Sequence, residues 1–200
     1  MNRELIENII VKRLKSLEKG KVLFTDDFLD LGSPESINKA LFRIEEKQFL
    51  VRLAHGVYLY PKIDKELGVL YPSIEEIAKA IAQRDRARII PTGVQALNKL
   101  GISTQIPMKV VYLTDGAARS IAIGKRNIIF KKTSPKNLEV RGEISGLIIQ
   151  ALKTLGEKNV DDNLLAKLYD LLKNEKKGNI RHDAKLSPAW INKILMQATK

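Results

Sequence analysis

The sequence predicts a mixed α+β protein built in two parts. Three observations predict it. In the first sixty residues apolar side chains recur at helical spacing three times, and two short β-rich runs around a Gly turn follow. From Ser73 onward, helical stripes alternate with three further β-rich runs. Between them lies Pro61–Ser73, PKIDKELGVLYPS, with two prolines, a glycine and no periodic apolar pattern. It reads as a connection between a domain of residues 1–62 and one of residues 73–200.

The elements of the first part follow from local chemistry. Leu5, Ile6, Ile9, Ile10, Leu14 and Leu17 share one helical face, and Gly20 stops that helix. Thr25 is expected to cap a short helix carrying Phe28 and Leu29 and ended by Gly32. Ser33-Pro34 is a strong start signal, because serine accepts an orphan amide and proline fits the first helical turn. The helix it opens buries Ile37, Leu41 and Ile44. Phe49–Leu53 and Val57–Tyr60 flank a turn at Ala54-His55-Gly56 and read as a hairpin, which Pro61 ends.

In the second part, Ile74, Ile77, Ala78 and Ile81 mark a helix from about Ser73. Pro91-Thr92-Gly93 opens another through Val94, Leu97 and Leu100, ended by Gly101. KVVYLT at Lys109–Thr114 is a buried strand that ends in a turn at Asp115-Gly116. Arg119–Ile123 and Asn127–Lys131 are strands around Gly124-Lys125-Arg126. The small sheet is expected to be antiparallel or mixed, since such short turns exclude parallel crossovers. Two amphipathic helices run through Leu147–Leu155 and Leu164–Leu172, and a last one starts at Ser187-Pro188 and carries Trp190, Ile191, Ile194 and Leu195.

Composition narrows the function. Apolar residues make up 44% of the 200, enough for packed cores and too many for a disordered chain. Cysteine is absent, which removes disulfides, thiolate metal sites and thiol nucleophiles. Only His55 and His182 are histidines, so a histidine-rich metal site is not expected. No apolar run reaches the length of a membrane span. The first nineteen residues mix acids and bases throughout, unlike a signal peptide. The expected compartment is a reducing cytoplasm. The formal charge of +12 points to a polyanionic partner, most simply nucleic acid. That charge is uneven: residues 1–65 hold 12 bases and 10 acids, and residues 66–200 hold 23 bases and 13 acids.

Three helices and a hairpin in about sixty residues is the layout of a winged helix-turn-helix. Its third helix enters the major groove, and its wing reaches the neighbouring backbone or minor groove. With Ile37, Leu41 and Ile44 turned inward, the opposite face presents Ser36, Asn38, Lys39, Arg43 and Lys47 as DNA-binding candidates. Asn and Arg make bidentate base contacts, and Ser and Lys contact phosphate. The helix start at Pro34-Glu35-Ser36 can also receive a phosphate on its free amides. Arg52 and His55 in the wing lie within reach of DNA. The plain alternative is a solvated helix face, or a winged helix that binds protein, and Glu45 and Glu46 sit close to the candidate face.

PTGVQALNKLGISTQIPMKVVYLTDG at Pro91–Gly116, with LVRLAHGVYLYP at Leu50–Pro61, resembles the AbiEi-type antitoxins of bacterial abortive-infection (type IV toxin–antitoxin) systems. The resemblance spans roughly Leu14 to Leu172. It implies an N-terminal winged helix that binds operator repeats and a C-terminal domain with antitoxin activity. It also implies autoregulation of a two-gene operon and protection against a nucleotidyltransferase-like toxin. Residues of the second part that suit such a role are Arg119, Lys125, Arg126, Lys131 and Lys132. On paired strands they can form a basic surface for DNA phosphate, RNA or an acidic protein. Arg84, Arg86 and Arg88 extend that set. The plain alternative is an edge strand guarded by lysine.

Enzyme signatures are weak. Gly124-Lys125 lacks the spacing of a phosphate loop, and Arg126 stands where Ser or Thr is needed. A serine–histidine–acid arrangement would have to use His182. A metal-dependent nuclease would have to use Asp115 with Glu139-Val140-Arg141, where arginine replaces the usual lysine. The expectation is a non-enzymatic, DNA-binding autoregulator and antitoxin with no catalytic residue, metal or cofactor. It is expected to act as a monomer or homodimer, with two copies on operator repeats. The alternatives are an enzyme that modifies a toxin or cleaves nucleic acid, and a winged-helix protein-interaction module.

Overall fold

The computed structural model describes residues 3–199, and side chains from Ile6 onward, so the expected inward face of Leu5 lies outside the described residues. The protein is α+β with small sheets. It divides into two compact units, Met1–Ala80 with Ala122–Gly124, and Ile81–Ile121 with Lys125–Lys200. The boundary falls inside one helix rather than in Pro61–Ser73, and that segment is not a bare connection. It folds into a two-stranded hairpin, pairing Lys62 with Leu70 and Asp64 with Gly68. Asp64 fixes its turn by accepting the amides of Glu66 and Leu67.

The first unit begins with α1 (Arg3–Lys15). Ile6, Ile10 and Leu14 are buried at helical spacing. β1 (Val22–Phe24) follows, then a 3₁₀ helix at Thr25–Leu31. Thr25 is the first residue of that helix and not its cap. The Asp27 carboxylate accepts the Phe24 amide at 2.8 Å, so the start lies one residue earlier than expected. Phe28 is buried and Leu29 is exposed, because three residues per turn cannot aim adjacent side chains inward together. Arg13 fastens this helix to α1 through a fork of two bonds to Asp30, at 3.0 and 2.7 Å.

α2 (Pro34–Glu46) starts as expected, with Ser33 accepting the Ser36 amide at 3.3 Å. Ile37, Ala40, Leu41 and Ile44 are fully buried and join the α1 stripe, Phe28, Leu50, Tyr58 and Tyr60 in one core. The hairpin is β2 (Val51–Ala54) and β3 (Val57–Leu59). His55-Gly56 turns the chain, and Gly56 at φ 69° supplies the left-handed conformation the turn requires. A bulge between Arg52 and Ala54 shifts the register. β1 pairs antiparallel with the other edge of β3, so the sheet order is β1-β3-β2. β4 (Lys62–Asp64) and β5 (Gly68–Leu70) make the second hairpin.

α3 (Ile74–Arg84) carries the chain into the second unit. There a four-stranded sheet has the order β6-β7-β9-β8. Its strands are β6 (Ile89–Pro91), β7 (Lys109–Thr114), β8 (Arg119–Ile123) and β9 (Arg126–Lys132). β6 pairs antiparallel with β7, but β9 runs parallel to β7. The sheet is therefore mixed. Short turns forbid parallel pairing only between consecutive strands. Here β8 makes the return journey at the sheet edge, and β9 comes back between β8 and β7.

Helices α4 (Val94–Lys99), α5 (Glu143–Leu155), α6 (Asp162–Leu172), α7 (Lys177–Ala184) and α8 (Ala189–Gln197) supply the other core. α5 is its centre: every residue from Ser145 to Leu152 is buried. Its N-terminus has no cap of its own, since Gly142 stands there. Two carboxylates take over that role: Glu175 accepts the Ile144 amide at 3.1 Å, and Asp183 on α7 holds the residues that lead in. The Asp183 carboxylate accepts the amides of Arg141 and Gly142 at 2.9 Å and the Ser145 hydroxyl at 2.6 Å. A Cβ at Gly142 would lie 2.2 Å from Ser145 Oγ, so glycine is required there. α7 itself has little apolar surface to announce it, with only Ile180 and Ala184 buried among its hydrophobic residues.

Asp183→Ala would leave the buried Gly142 amide and Ser145 hydroxyl, and the part-buried Arg141 amide, without their acceptor, at a cost of about 3 kcal/mol. Urea unfolding monitored on Trp190 is expected to show that loss, with Asp183→Asn losing less.

Candidate nucleic-acid interface

A groove of about 400 Å³ lies in the first unit, lined by Asn38, Lys39, Phe42 and Arg43 of α2, by Arg52 and Tyr58 of the sheet and by His55-Gly56 of the turn. Four of the six DNA-binding candidates therefore meet in one place, together with His55. α2 is held there by its buried stripe, and the β2–β3 register sets Arg52 directly opposite Tyr58. Burial pushes the Tyr58 phenol up, while the nearby Arg52 charge acts in the opposite sense. Asn38, Lys39, Arg52 and His55 are exposed, and Arg43 is half-buried.

The remaining candidates are placed differently. Ser36 belongs to a smaller neighbouring depression of about 160 Å³ with Ile6, Glu35, Lys39 and Arg43. Its hydroxyl accepts from Ser33 Oγ at 3.0 Å, and its amide already serves the cap, which leaves this helix start less open to phosphate than expected. Lys47 lines neither depression. Its ammonium bonds Glu7 of α1, and Arg43 Nε donates to the other Glu7 oxygen at 2.8 Å. Glu7 is only 9% exposed. The two cations hold its carboxyl below the ordinary value of 4.5, against the opposing effect of burial, the Arg43 bond being the larger cause. Lys39 pairs with Glu35 one turn away.

Two features of the groove were not anticipated. One is the Glu7 clamp, which joins residues 36 and 40 positions apart and has no local signal. The other is Phe42, a large apolar side chain that is 53% exposed. Its signal was present: Phe42 falls outside the stripe of Ile37, Leu41 and Ile44.

In the second unit the basic set does not converge. Arg119 pairs with Asp85 and lies over the Phe130 ring at 5.6 Å. Arg126 donates to the Pro107 carbonyl at 3.3 Å. Arg84 pairs with Asp85, and Arg88 pairs with Asp115 at 2.9 Å. Arg86 has φ 53°, just past the end of α3. Lys125, Lys131 and Lys132 are exposed. Lys125 precedes β9 and Lys131–Lys132 end it, about 20 Å apart at strand rise. The exposed cations thus form two separate ends rather than one patch.

The residues considered for enzyme chemistry are occupied otherwise. Asp115 accepts the Arg88 amide at 2.8 Å and the Arg88 guanidinium, which together hold its carboxyl below the usual carboxylate range, the guanidinium being the larger cause. His182 Nδ1 lies 2.9 Å from Asp183 Oδ1, but Ser145 addresses the carboxylate and not the imidazole. Ser145 is also fully buried, whereas a nucleophile must carry its base on its own hydroxyl and meet a substrate. Among the described residues, no group of three or more His, Asp or Glu is placed to hold a metal ion, and no helix is long and apolar enough to cross a membrane.

A family model described as a family of unknown function, DUF6088, matches residues 9–180. The chain belongs to that family. The match spans both units of this DUF6088 protein. No curated protein matches the chain. Among solved structures, the crystal structure of the RV2827C protein from Mycobacterium tuberculosis is similar with a TM-score of 0.48 and 12% identity, over 96% of this chain and 81% of that one.

The lowered Glu7 pKa has a definite sign. A carboxyl whose folded pKa lies below its unfolded value stabilises the fold above the unfolded value, and that contribution disappears as pH falls through the folded one. Thermal melts of the wild type are expected to lose stability below about pH 4.5 more steeply than melts of Glu7→Gln. Parallel acid limbs would remove Glu7 as a stabilising ion pair.

Proposed function

We propose that this chain is a bacterial DNA-binding transcriptional regulator whose first unit works as a winged helix-turn-helix. The observation that carries the reading is the shared groove, where Asn38, Lys39 and Arg43 of α2 stand with Arg52 and His55 of the hairpin. A helix fits the major groove, and a hairpin beside it reaches the adjoining backbone. Asn38 carries the donor and acceptor pair that reads adenine, and Lys39 supplies a phosphate contact. The Lys39–Glu35 pair does not block this. An exposed i,i+4 pair is worth about 0.3–0.5 kcal/mol, which a phosphate displaces easily. Arg52 assists from β2, and Lys47 supports the face from its bond to Glu7.

The regulator acts on its own operon and serves as the antitoxin of a type IV toxin–antitoxin pair. This part rests on the likeness of Pro91–Gly116 and Leu50–Pro61 to AbiEi-type antitoxins. The partners are operator DNA and a nucleotidyltransferase-like toxin, with RNA as a further ligand of the exposed lysines in the second unit. One such unit covers a short site, so two copies bind repeats. A second reading has a specific observation in its favour. Ile63, Leu67 and Tyr71, in and beside the β4–β5 hairpin, are well exposed, as suits a protein-interaction module.

The test is a gel-shift titration on the DNA upstream of the protein's own gene, beside scrambled DNA of equal length, at several salt concentrations. Tighter, stepwise binding to the upstream fragment is expected. Asn38→Ala should weaken that binding by about 1–3 kcal/mol and leave scrambled DNA unaffected. Lys39→Ala should weaken both and lower the salt slope by about one. Equal binding of both DNAs, or none at physiological salt, would overturn the operator reading and favour the protein-interaction one.

A further inference from the structure

Phe42 has no structural reason to be where it is. The core of the first unit is complete without it, since Ile37, Leu41 and Ile44 are fully buried and Phe42 is not among the residues that pack on them. It lies on the exposed ridge of α2, the row Glu35, Asn38, Lys39, Phe42 and Glu46. On that ridge it is the one apolar member, and it lines the groove between Asn38 and Lys39 on one side and the hairpin on the other. A phenyl ring kept in water among cations gains free energy only when a ligand covers it.

We infer that Phe42 is a specificity residue that reads the 5-methyl group of thymine in duplex DNA, an inference that rests on the DNA-binding reading above. The thymine methyl is the apolar feature of the major-groove edges, and phenylalanine is among the side chains that contact it. Spacing supports the pairing with Asn38. Four residues of helix advance about 6 Å, and two base steps advance about 6.8 Å at 3.4 Å each. A helix laid along the groove therefore sets Asn38 on an adenine and Phe42 on a thymine about two pairs away. A single-stranded partner fits less well. Sequence-tolerant strand binding uses successive aromatic rings as stacking platforms; of the other rings of this groove, Tyr58 is buried and the exposed His55 imidazole stands on the hairpin turn, not on α2 with Phe42.

The experiment uses the full chain and a randomised duplex library, selected in parallel as thymine DNA and as DNA with deoxyuridine in place of thymidine. The best duplex is then titrated with single thymidine-to-deoxyuridine replacements against wild type, Phe42→Ala and Phe42→Leu. The expected result is a loss of about three- to tenfold at one position of the site for the wild type. Phe42→Ala should bind both forms equally, and Phe42→Leu should keep part of the discrimination. Both variants should melt with the wild type, because the ring is outside the core. Sequence-selective binding that ignores every replacement would overturn the role of Phe42 while the DNA reading stands. Failure to enrich any duplex would overturn both. Preference for single-stranded oligothymidine over all duplexes would overturn methyl reading in favour of base stacking.

Discussion

Glu7 accepts from Arg43 and Lys47 while almost out of water, and this ion pair sets the geometry of the α2 face. A buried carboxylate costs several kcal/mol in lost hydration, so it persists only with its cations in place. The reverse also holds. Arg43 and Lys47 are each tied to one oxygen of that carboxylate, and losing either leaves it short of a cation. The carboxylate on α1 thereby fixes the C-terminal half of α2. It also cancels part of the positive charge there, so Lys39 and Arg52 are the more available cations of the groove. Lys39 competes with a weak exposed pair and is free to exchange partners; Arg43 is not.

Asp183 works by the same physics in the second unit, with backbone amides as its principal donors. A helix buried on all sides, as α5 is, cannot leave its first amides to water. The Asp183 carboxylate reaches the amides of Arg141 and Gly142 from α7, Glu175 takes the Ile144 amide, and the Ser145 and Glu175 side chains fill the space that a Cβ at Gly142 would need. His182, the histidine that a serine–histidine–acid arrangement would have to use, thus stands beside a carboxylate that is engaged by Ser145 and the amides of Arg141 and Gly142. Of the arginines expected to share one basic surface in that unit, Arg84 and Arg119 are spent on Asp85 and Arg88 on Asp115. Of the lysines in that set, one is exposed at one end of β9 and two at the other.

What was legible in the sequence was local. Ser33-Pro34 marked the start of α2, and the stripe of Ile37, Leu41 and Ile44 marked its buried face, because cap and period act within a few residues. Gly93 and Gly101 bracketed α4 for the same reason. The misses are non-local. β1 and β6 are three-residue strands, too short to show a period. They exist because Leu59 and Tyr112, far along the chain, pair with Val22 and Pro91. The parallel β7–β9 pair depends on where β8 lies, which no turn length encodes. α7 is polar on most sides and is tied to its place by Asp183 bonds some forty residues away. In the groove, Asn38, Lys39, Arg43 and Arg52 followed from the helix period and the hairpin. The Glu7 clamp did not, and Phe42 stood in plain view as the residue that broke the stripe.

The central claim is that the face made by α2 and the β2–β3 turn meets duplex DNA. Amide chemical-shift mapping tests it most directly, with isotope-labelled full-length protein titrated with its upstream duplex. The account predicts saturable shifts at Asn38–Arg43 and at Arg52–Gly56, with smaller, salt-sensitive ones at Lys125 and Lys131–Lys132. Shifts confined to those lysines or to the Lys62–Leu70 hairpin, with α2 unchanged, would contradict it.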